Sequence, residues 1–159
     1  MIIDNDYLPE VVCKNLITIY NNYTSFYYDV NKTWVVEIKN MRIKNIKEIK
    51  PVIFNLEKKY SFLKEAKLVN NQIVKWPEGS YHPEHYDRRK NEIDKWAFFL
   101  YLNDDFKGGE LVVEGKEIIP EIGKLVIFEA GKIKHKVNKV LKGNRYTLAG
   151  WYIWVMKII

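Results

Sequence analysis

The chain has 159 residues, of which 47% are hydrophobic, and a formal net charge of +6. This length and composition suit a single compact domain over residues 1–159 and exclude a disordered chain. A single cysteine, Cys13, excludes a disulfide within the chain and a zinc site of the multi-cysteine kind.

Two helices are predicted in the N-terminal segment 1–67, which would act as a helical support. Apolar residues recur at helical intervals over about 8–21. A second helical pattern covers 46–63, and Pro51 within it suggests that this helix begins there, because proline disrupts a helix interior. Between the two helices, residues 33–38 are typical of a short strand.

The remaining segment, 68–159, has short apolar or alternating runs separated by turns that contain glycine and proline. This pattern is typical of an all-β sandwich or barrel. The predicted strands cover 68–76, 81–88, 95–103, 110–113, 116–119, 124–129, 135–140 and 146–154. The predicted architecture is therefore mainly β, with the two N-terminal helices packed on one sheet.

The chain has three histidines, His82, His85 and His135, all in predicted strands. Residues two apart on a strand point to the same face, so His85 and Asp87 can bind one ion, and His135 can join them from another strand. Two histidines and one carboxylate form the facial triad of non-haem iron(II), which leaves coordination positions open. An H-x-E triplet that begins at His82 is an alternative, ranked lower because Pro83 is poorly placed inside a strand.

A series of short motifs occurs in the order and at the spacing of one enzyme family. In chain order they are Trp76-Pro77-Glu78-Gly79, His85-Tyr86-Asp87, Leu100-Tyr101-Leu102-Asn103, Gly108-Gly109-Glu110-Leu111, Pro120-Glu121-Ile122-Gly123 with Phe128, His135 with Val137, Gly143-Asn144-Arg145, and Trp151. With these motifs, residues 74–152 resemble the prolyl 4-hydroxylase-like branch of the 2-oxoglutarate/Fe(II)-dependent oxygenases. An ordered series is more specific than any single motif.

The resemblance implies a double-stranded β-helix, the jelly-roll fold of the cupin type, as the core over 68–159. It implies that His85, Asp87 and His135 bind Fe(II) and that Arg145 binds the distal carboxylate of 2-oxoglutarate. A planar guanidinium makes such a bidentate pairing well. Tyr101 matches a family tyrosine whose hydroxyl can reach the same carboxylate.

The resemblance also implies the reaction. It would consume 2-oxoglutarate and dioxygen, hydroxylate a C–H bond and release succinate and carbon dioxide, with ascorbate as a reductant. Trp151 and Phe128 match positions that pack near the site. Peptidyl proline is the favoured substrate, so a protein or peptide partner is expected. Because little sequence is left for a peptide-binding module, a free amino acid, another small molecule or a nucleobase stays open, as does the oligomeric state.

Other features bear on location and partners. The first residues, MIIDNDYLPE, lack the charge pattern of a secretory signal, and no run reaches the roughly 18 apolar residues of a membrane span. We therefore expect a cytoplasmic protein without a membrane partner. The lysines are spread along the chain, which disfavours a nucleic-acid partner. A degenerate β-sandwich binding module is the non-enzyme alternative, but it would be expected to lose one of the four site residues.

Overall fold

The computed structural model describes residues 1–22, 27–31, 36–40, 46–89 and 92–154. Both predicted helices are present, as α1 (Glu10–Asn22) and α2 (Ile49–Lys59), and a short 3-10 helix, Ser61–Glu65, follows α2. The expectation that α2 begins at Pro51 is wrong, because the helix starts two residues earlier. Pro51 lies in the first turn, where a backbone N–H has no acceptor within the helix, so the ring removes no hydrogen bond.

The strands are numbered in chain order over the described residues. They are β1 (Ile2–Asp4), β2 (Tyr27–Asn31), β3 (Val36–Asn40), β4 (Ala66–Trp76), β5 (His82–His85), β6 (Arg88–Arg89), β7 (Glu92–Tyr101), β8 (Lys107–Gly108), β9 (Leu111–Val113), β10 (Lys116–Ile118), β11 (Leu125–Phe128), β12 (His135–Val137), β13 (Val140–Lys142) and β14 (Arg145–Trp154). The N-terminal segment 1–67, predicted as a helical support, thus also contributes three strands. Of the predicted strand 33–38, residues 33–35 lie outside the described part of the chain, and the rest belongs to β3.

Two antiparallel sheets face each other. The major sheet has eight strands in the order β1-β11-β7-β14-β4-β3-β2, with β6 paired to β7. The minor sheet has the order β10-β9-β12-β5, and β13 pairs with β8 separately. Together with the helices on one face, this arrangement confirms the predicted mainly-β jelly roll with two helices packed on one sheet.

Alternation along the strands of the major sheet separates two cores. On β14, Leu148 and Tyr152 face the helices and pack in one buried cluster with Leu16 of α1 and Leu56 of α2. Ala149 and Trp151 of β14 line the cavity on the opposite face, where a second cluster includes Val113 and others from both sheets. Because side chains on a strand point alternately to opposite faces, one strand serves both cores. The cavity described below lies between the two sheets.

Two predicted strands are divided in the structure. The predicted strand 81–88 ends at His85 as β5, and its last residue, Arg88, belongs to β6, which pairs with a different sheet. The predicted strand 135–140 ends at Val137, and β13 begins at Val140. Pro83 lies inside β5, contrary to expectation, but β5 is an edge strand of the minor sheet, where a residue without a backbone N–H can be accommodated. No helix in the described ranges is long and apolar enough to cross a membrane.

Candidate metal centre and active site

Three side chains predicted as metal ligands come together at one end of the minor sheet. His85 ends β5 and His135 begins β12, and the two residues are directly opposite each other across this strand pair. The Oδ1 atom of Asp87 lies 3.1 Å from Nε2 of His85 and 3.4 Å from Nε2 of His135. One ligand atom from each of the three residues lies within 4.8 Å of the other two. This spacing allows all three to bind a single ion.

Asp87 reaches the cluster by a different route from the one predicted. It lies beyond the end of β5, so the alternation of a continuous strand does not aim its side chain. Instead, its backbone N–H donates to the carbonyl oxygen of Ala130 at 2.9 Å, which holds this segment beside the turn before β12. The indole N–H of Trp151 donates to Oδ2 of Asp87 at 2.7 Å. Oδ1 is left facing the two imidazoles.

The protonation of the cluster follows from these contacts. Burial raises the pKa of the Asp87 carboxyl, but hydrogen bonds with His135, His85 and Trp151 outweigh burial and hold this pKa well below its usual range. For His85, burial lowers the pKa, but the bond to Asp87 reverses this effect, and the net shift is upward. Asp87 is therefore an anion, which is the form that binds a metal cation.

Each ligand imidazole is oriented by its other ring nitrogen. Nδ1 of His85 lies 2.7 Å from the carbonyl oxygen of Pro83, and Nδ1 of His135 lies 3.1 Å from that of Ile133. A carbonyl oxygen can only accept, so each Nδ1 is a donor, and each Nε2 faces Asp87 and would present a lone pair in place of a proton once a cation binds. Such contacts fix the tautomer and ring angle of a metal-binding histidine. Two imidazoles and one carboxylate, with one side open, fit iron(II).

A cavity of about 110 Å³ lies against the open side of this cluster. Its wall is mostly apolar, and its floor comes from β4, β7 and β14. The lining residues are Gln72, Val74, Trp76, His82, His85, Asp87, Phe99, Leu111, His135, Val137, Thr147, Ala149 and Trp151. A concave, largely apolar site with a few converging polar groups is the usual form of a small-molecule site.

Arg145 lies beside this cavity, and its guanidinium has no ion-pair partner among the described residues. It is only 1% exposed, and none of its three guanidinium nitrogens has a hydrogen-bond partner among the described residues. The guanidinium carbon lies 4.9 Å from the ring centre of Trp76, which lines the cavity, and 5.1 Å from that of Tyr101. Burial lowers the pKa of Arg145, although Tyr101 and Glu110 counteract this effect. A buried cation without an anion is costly, so the site fits a ligand that brings a carboxylate.

Tyr101 and Gly109 define the space around that guanidinium. The Tyr101 hydroxyl accepts a hydrogen bond from the backbone N–H of Leu111 at 3.1 Å, which fixes the ring and leaves the hydroxyl proton to donate elsewhere. Gly109 has a φ of +67°, and a Cβ there would lie 3.0 Å from Cδ of Arg145. Glycine at this position therefore satisfies both the backbone conformation and the close approach of the arginine side chain. Contact of Tyr101 with a co-substrate stays a prediction.

The alternative triplet that begins at His82 does not form a metal cluster. Glu84 is exposed and pairs with Lys134 at 3.7 Å, away from the imidazoles. His82 lines the cavity, and its ring centre lies 3.7 Å from that of His85. Burial, together with the charge of His85, lowers the pKa of His82 to about 4, so it is neutral at physiological pH.

Residues near the cluster also have roles that the sequence does not indicate. Phe128 packs edge-on against His135, with ring centres 4.9 Å apart, as expected for a packing residue. Trp151 was expected only to pack, yet it donates the hydrogen bond to Asp87. Gln72 was not singled out, although it lines the cavity. The sequence places Trp151 near the site but does not indicate its hydrogen bond to Asp87, and none of the motifs includes Gln72.

Known proteins share the fold and part of the sequence of this chain. The chain is 41% identical over 67 residues to prolyl 3-hydroxylase 3 of Mus musculus, a match that spans 37% of this chain but only 9% of the relative. A prolyl-4-hydroxylase of Pseudomonas putida has the same fold, with a TM-score of 0.77 and 20% identity over 97% of this chain and 92% of that one. A prolyl hydroxylase of Trichoplax adhaerens, solved with a peptide fragment of the hypoxia inducible factor oxygen degradation domain, also has this fold. Its TM-score is 0.71 and its sequence identity 17%, and the match covers 96% of this chain and 82% of that one.

The profile of the 2OG-Fe(II) oxygenase superfamily matches residues 71–153, which is just over half of the chain. This range includes Gln72, the three clustered residues His85, Asp87 and His135, and also Arg145 and Trp151. The chain belongs to the 2OG-Fe(II) oxygenase superfamily.

Proposed function

We propose that this protein is a 2-oxoglutarate- and Fe(II)-dependent dioxygenase that hydroxylates a C–H bond of a peptidyl proline. One observation carries the proposal: a buried arginine without an anion, Arg145, lies beside the cavity that the His85, Asp87 and His135 cluster opens onto. A cation and a metal site at one cavity match a co-substrate with a carboxylate at each end. A monocarboxylic 2-oxo acid would leave the arginine unpaired.

The proposed roles of the residues follow from their contacts. His85, His135 and Asp87 would hold iron(II) from one side, and Trp151 would keep the Asp87 carboxylate turned so that Oδ1 faces the ion. When bound, iron(II) with 2-oxoglutarate and dioxygen would supply oxidative decarboxylation, in which one oxygen atom enters succinate, carbon dioxide is released and the other oxygen atom hydroxylates the C–H bond. Arg145 would receive the distal carboxylate, and Trp76 would shield that ion pair from water, which strengthens it.

The choice of substrate is supported by the relatives. Proteins with this fold or with partial sequence identity carry the names prolyl 3-hydroxylase and prolyl-4-hydroxylase, and one was solved with a peptide. We therefore propose a protein or peptide substrate, with ascorbate as a reductant, in the cytoplasm, and residues 1–159 acting as one catalytic domain. A free amino acid, another small molecule or a nucleobase are the alternatives. The presence of all four residues needed for a metal and a dicarboxylate, His85, Asp87, His135 and Arg145, favours an oxygenase over a degenerate, non-catalytic binding module.

Succinate formation tests the proposal. Protein purified under nitrogen and loaded with iron(II) is exposed to oxygen with 2-oxoglutarate, with and without a proline-rich peptide. The matched control is His135→Ala, which removes one ligand from β12. We expect succinate that depends on iron and on His135, and an increase when the peptide is present. Absence of both succinate formation and 2-oxoglutarate binding in the wild-type protein would contradict the oxygenase assignment and favour the binding module.

A further inference from the structure

Gln72 is a polar residue in the apolar wall of the cavity that the proposed reaction does not use. It lies on β4, directly opposite Ala149 of β14, and lines the same cavity as the metal cluster. Its side chain is half-buried, and its amide makes no hydrogen bond with any residue in the described ranges. An amide that is open towards the cavity is available to a ligand there.

The register of the sheet places Gln72 at the metal end of the cavity. Gln72 and Trp76 point to the same face of β4, four residues apart, which is about 13 Å along a strand. Trp76 is opposite Arg145 of β14, at the end proposed for the distal carboxylate of 2-oxoglutarate. Trp151, whose indole holds Asp87, lies two residues beyond Ala149 on β14. Gln72 is thus remote from the co-substrate end and beside the metal cluster.

The chemistry of a primary amide suits a peptide bound at this place. The glutamine side chain offers two N–H donors and one acceptor and carries no charge. A proline has no backbone N–H, so the polar backbone groups around it are mainly carbonyl oxygens. We infer that the Nε2 group of Gln72 donates a hydrogen bond to a backbone carbonyl of the substrate next to the residue that is hydroxylated, and thereby positions that residue at the metal. This inference rests on the proposed function.

Two variants separate the donor from the rest of the side chain. Gln72→Met keeps the length of the side chain and removes both the donor and the acceptor, whereas Gln72→Glu keeps the shape and an acceptor but removes the donor. Lys67→Met is the matched control, because Lys67 is an exposed residue of the same strand. Thermal unfolding of each variant establishes that it folds. Replacement of Gln72 should leave the packed core unchanged, because this residue is half-buried and lies at the cavity wall.

The experiment measures three quantities for each protein: the affinity for a peptide, the affinity for 2-oxoglutarate, and the amount of succinate formed per hydroxylated peptide. Binding of a poly(L-proline) peptide is titrated by calorimetry under nitrogen with iron(II) and 2-oxoglutarate present, and 2-oxoglutarate binding is titrated separately. We expect about tenfold weaker peptide binding for both Gln72 variants, the loss associated with one hydrogen bond. Binding of 2-oxoglutarate should be unchanged in the neutral variant Gln72→Met, and Lys67→Met should match the wild type. On exposure to oxygen, the Gln72 variants should form more succinate per hydroxylated peptide, because a misplaced substrate is oxidised less often.

The inference would be overturned if Gln72→Met had the peptide affinity of the wild type and formed the same amount of succinate per hydroxylated peptide. Wild-type peptide affinity of Gln72→Glu would also overturn it, because that variant has no amide donor. Failure of poly(L-proline) to bind wild-type protein that does bind 2-oxoglutarate would also overturn it, and would leave the oxygenase assignment standing. Failure of the wild-type protein to bind 2-oxoglutarate would overturn the proposed function itself.

Discussion

Replacement of Trp151 by phenylalanine should weaken metal binding without removing any ligand. The indole N–H donates to Oδ2 of Asp87 at 2.7 Å, and the Asp87 side chain is only 14% exposed, so water replaces this bond poorly. A hydrogen bond to a charged group contributes about 1.5–3 kcal/mol. With tenfold in affinity for each ~1.4 kcal/mol, Trp151→Phe should bind iron(II) about 10- to 100-fold more weakly, the range typical of residues that orient a metal ligand.

The matched control for this change is Trp96→Phe. The indole N–H of Trp96 is also buried, but it has no hydrogen-bond partner in the described part of the chain, so its loss removes no bond. Both variants keep an aromatic ring, and calorimetric titration of iron(II) under nitrogen compares them with the wild type. Equal affinity of Trp151→Phe and Trp96→Phe would refute the view that the indole bond holds Asp87 in its binding position.

Three further predictions concern Arg145, Gly109 and Cys13. Arg145→Met should raise the melting temperature of the ligand-free protein, because it removes a buried unpaired cation. It should also abolish the rise in melting temperature that 2-oxoglutarate causes in the wild type, and a rise that persists in the variant would contradict the role of Arg145. Gly109→Ala should weaken 2-oxoglutarate binding in calorimetry, because its Cβ would press on the Arg145 side chain at a φ that disfavours alanine; wild-type affinity would count against this. Burial raises the pKa of Cys13 to about 11, so this thiol stays protonated at neutral pH, and iodoacetamide should modify it far more slowly in native than in unfolded protein; equal rates would show that it is accessible.

The identity of the clustered residues could be predicted from the sequence, because the motif spacing limits which residues can meet. His85 and His135 were assigned to different strands, and these strands are neighbours in the minor sheet. The route of Asp87 was predicted incorrectly, since strand alternation was extended past the end of β5. The position of Asp87 depends on a hydrogen bond to Ala130, more than forty residues away in sequence, and local patterns do not contain such information.

Elements that depend on partners distant in sequence were harder to predict. Strand β2, with the sequence YYDVN, was not predicted, and its Asp29 and Asn31 are residue types depleted in strands. Strand β2 is stabilised by its pairing with β3, which in turn pairs with β4, rather than by the strand preference of its own residues. The division of the predicted strand 135–140 similarly follows from pairing, since β12 joins β5 and β9 whereas β13 joins β8.

The central position of β14 in the major sheet has a consequence for folding kinetics. Its neighbours are β4 and β7, both much earlier in the chain, so the sheet remains open between them until residues 145–154 have been synthesised and inserted. Pairings of such long sequence separation are slow to form and leave strand edges exposed meanwhile. Arg145 and Trp151 both lie on this strand. The event that closes the sheet during synthesis is therefore also the one that brings the arginine and the indole to the cavity, so a partly folded chain would have neither.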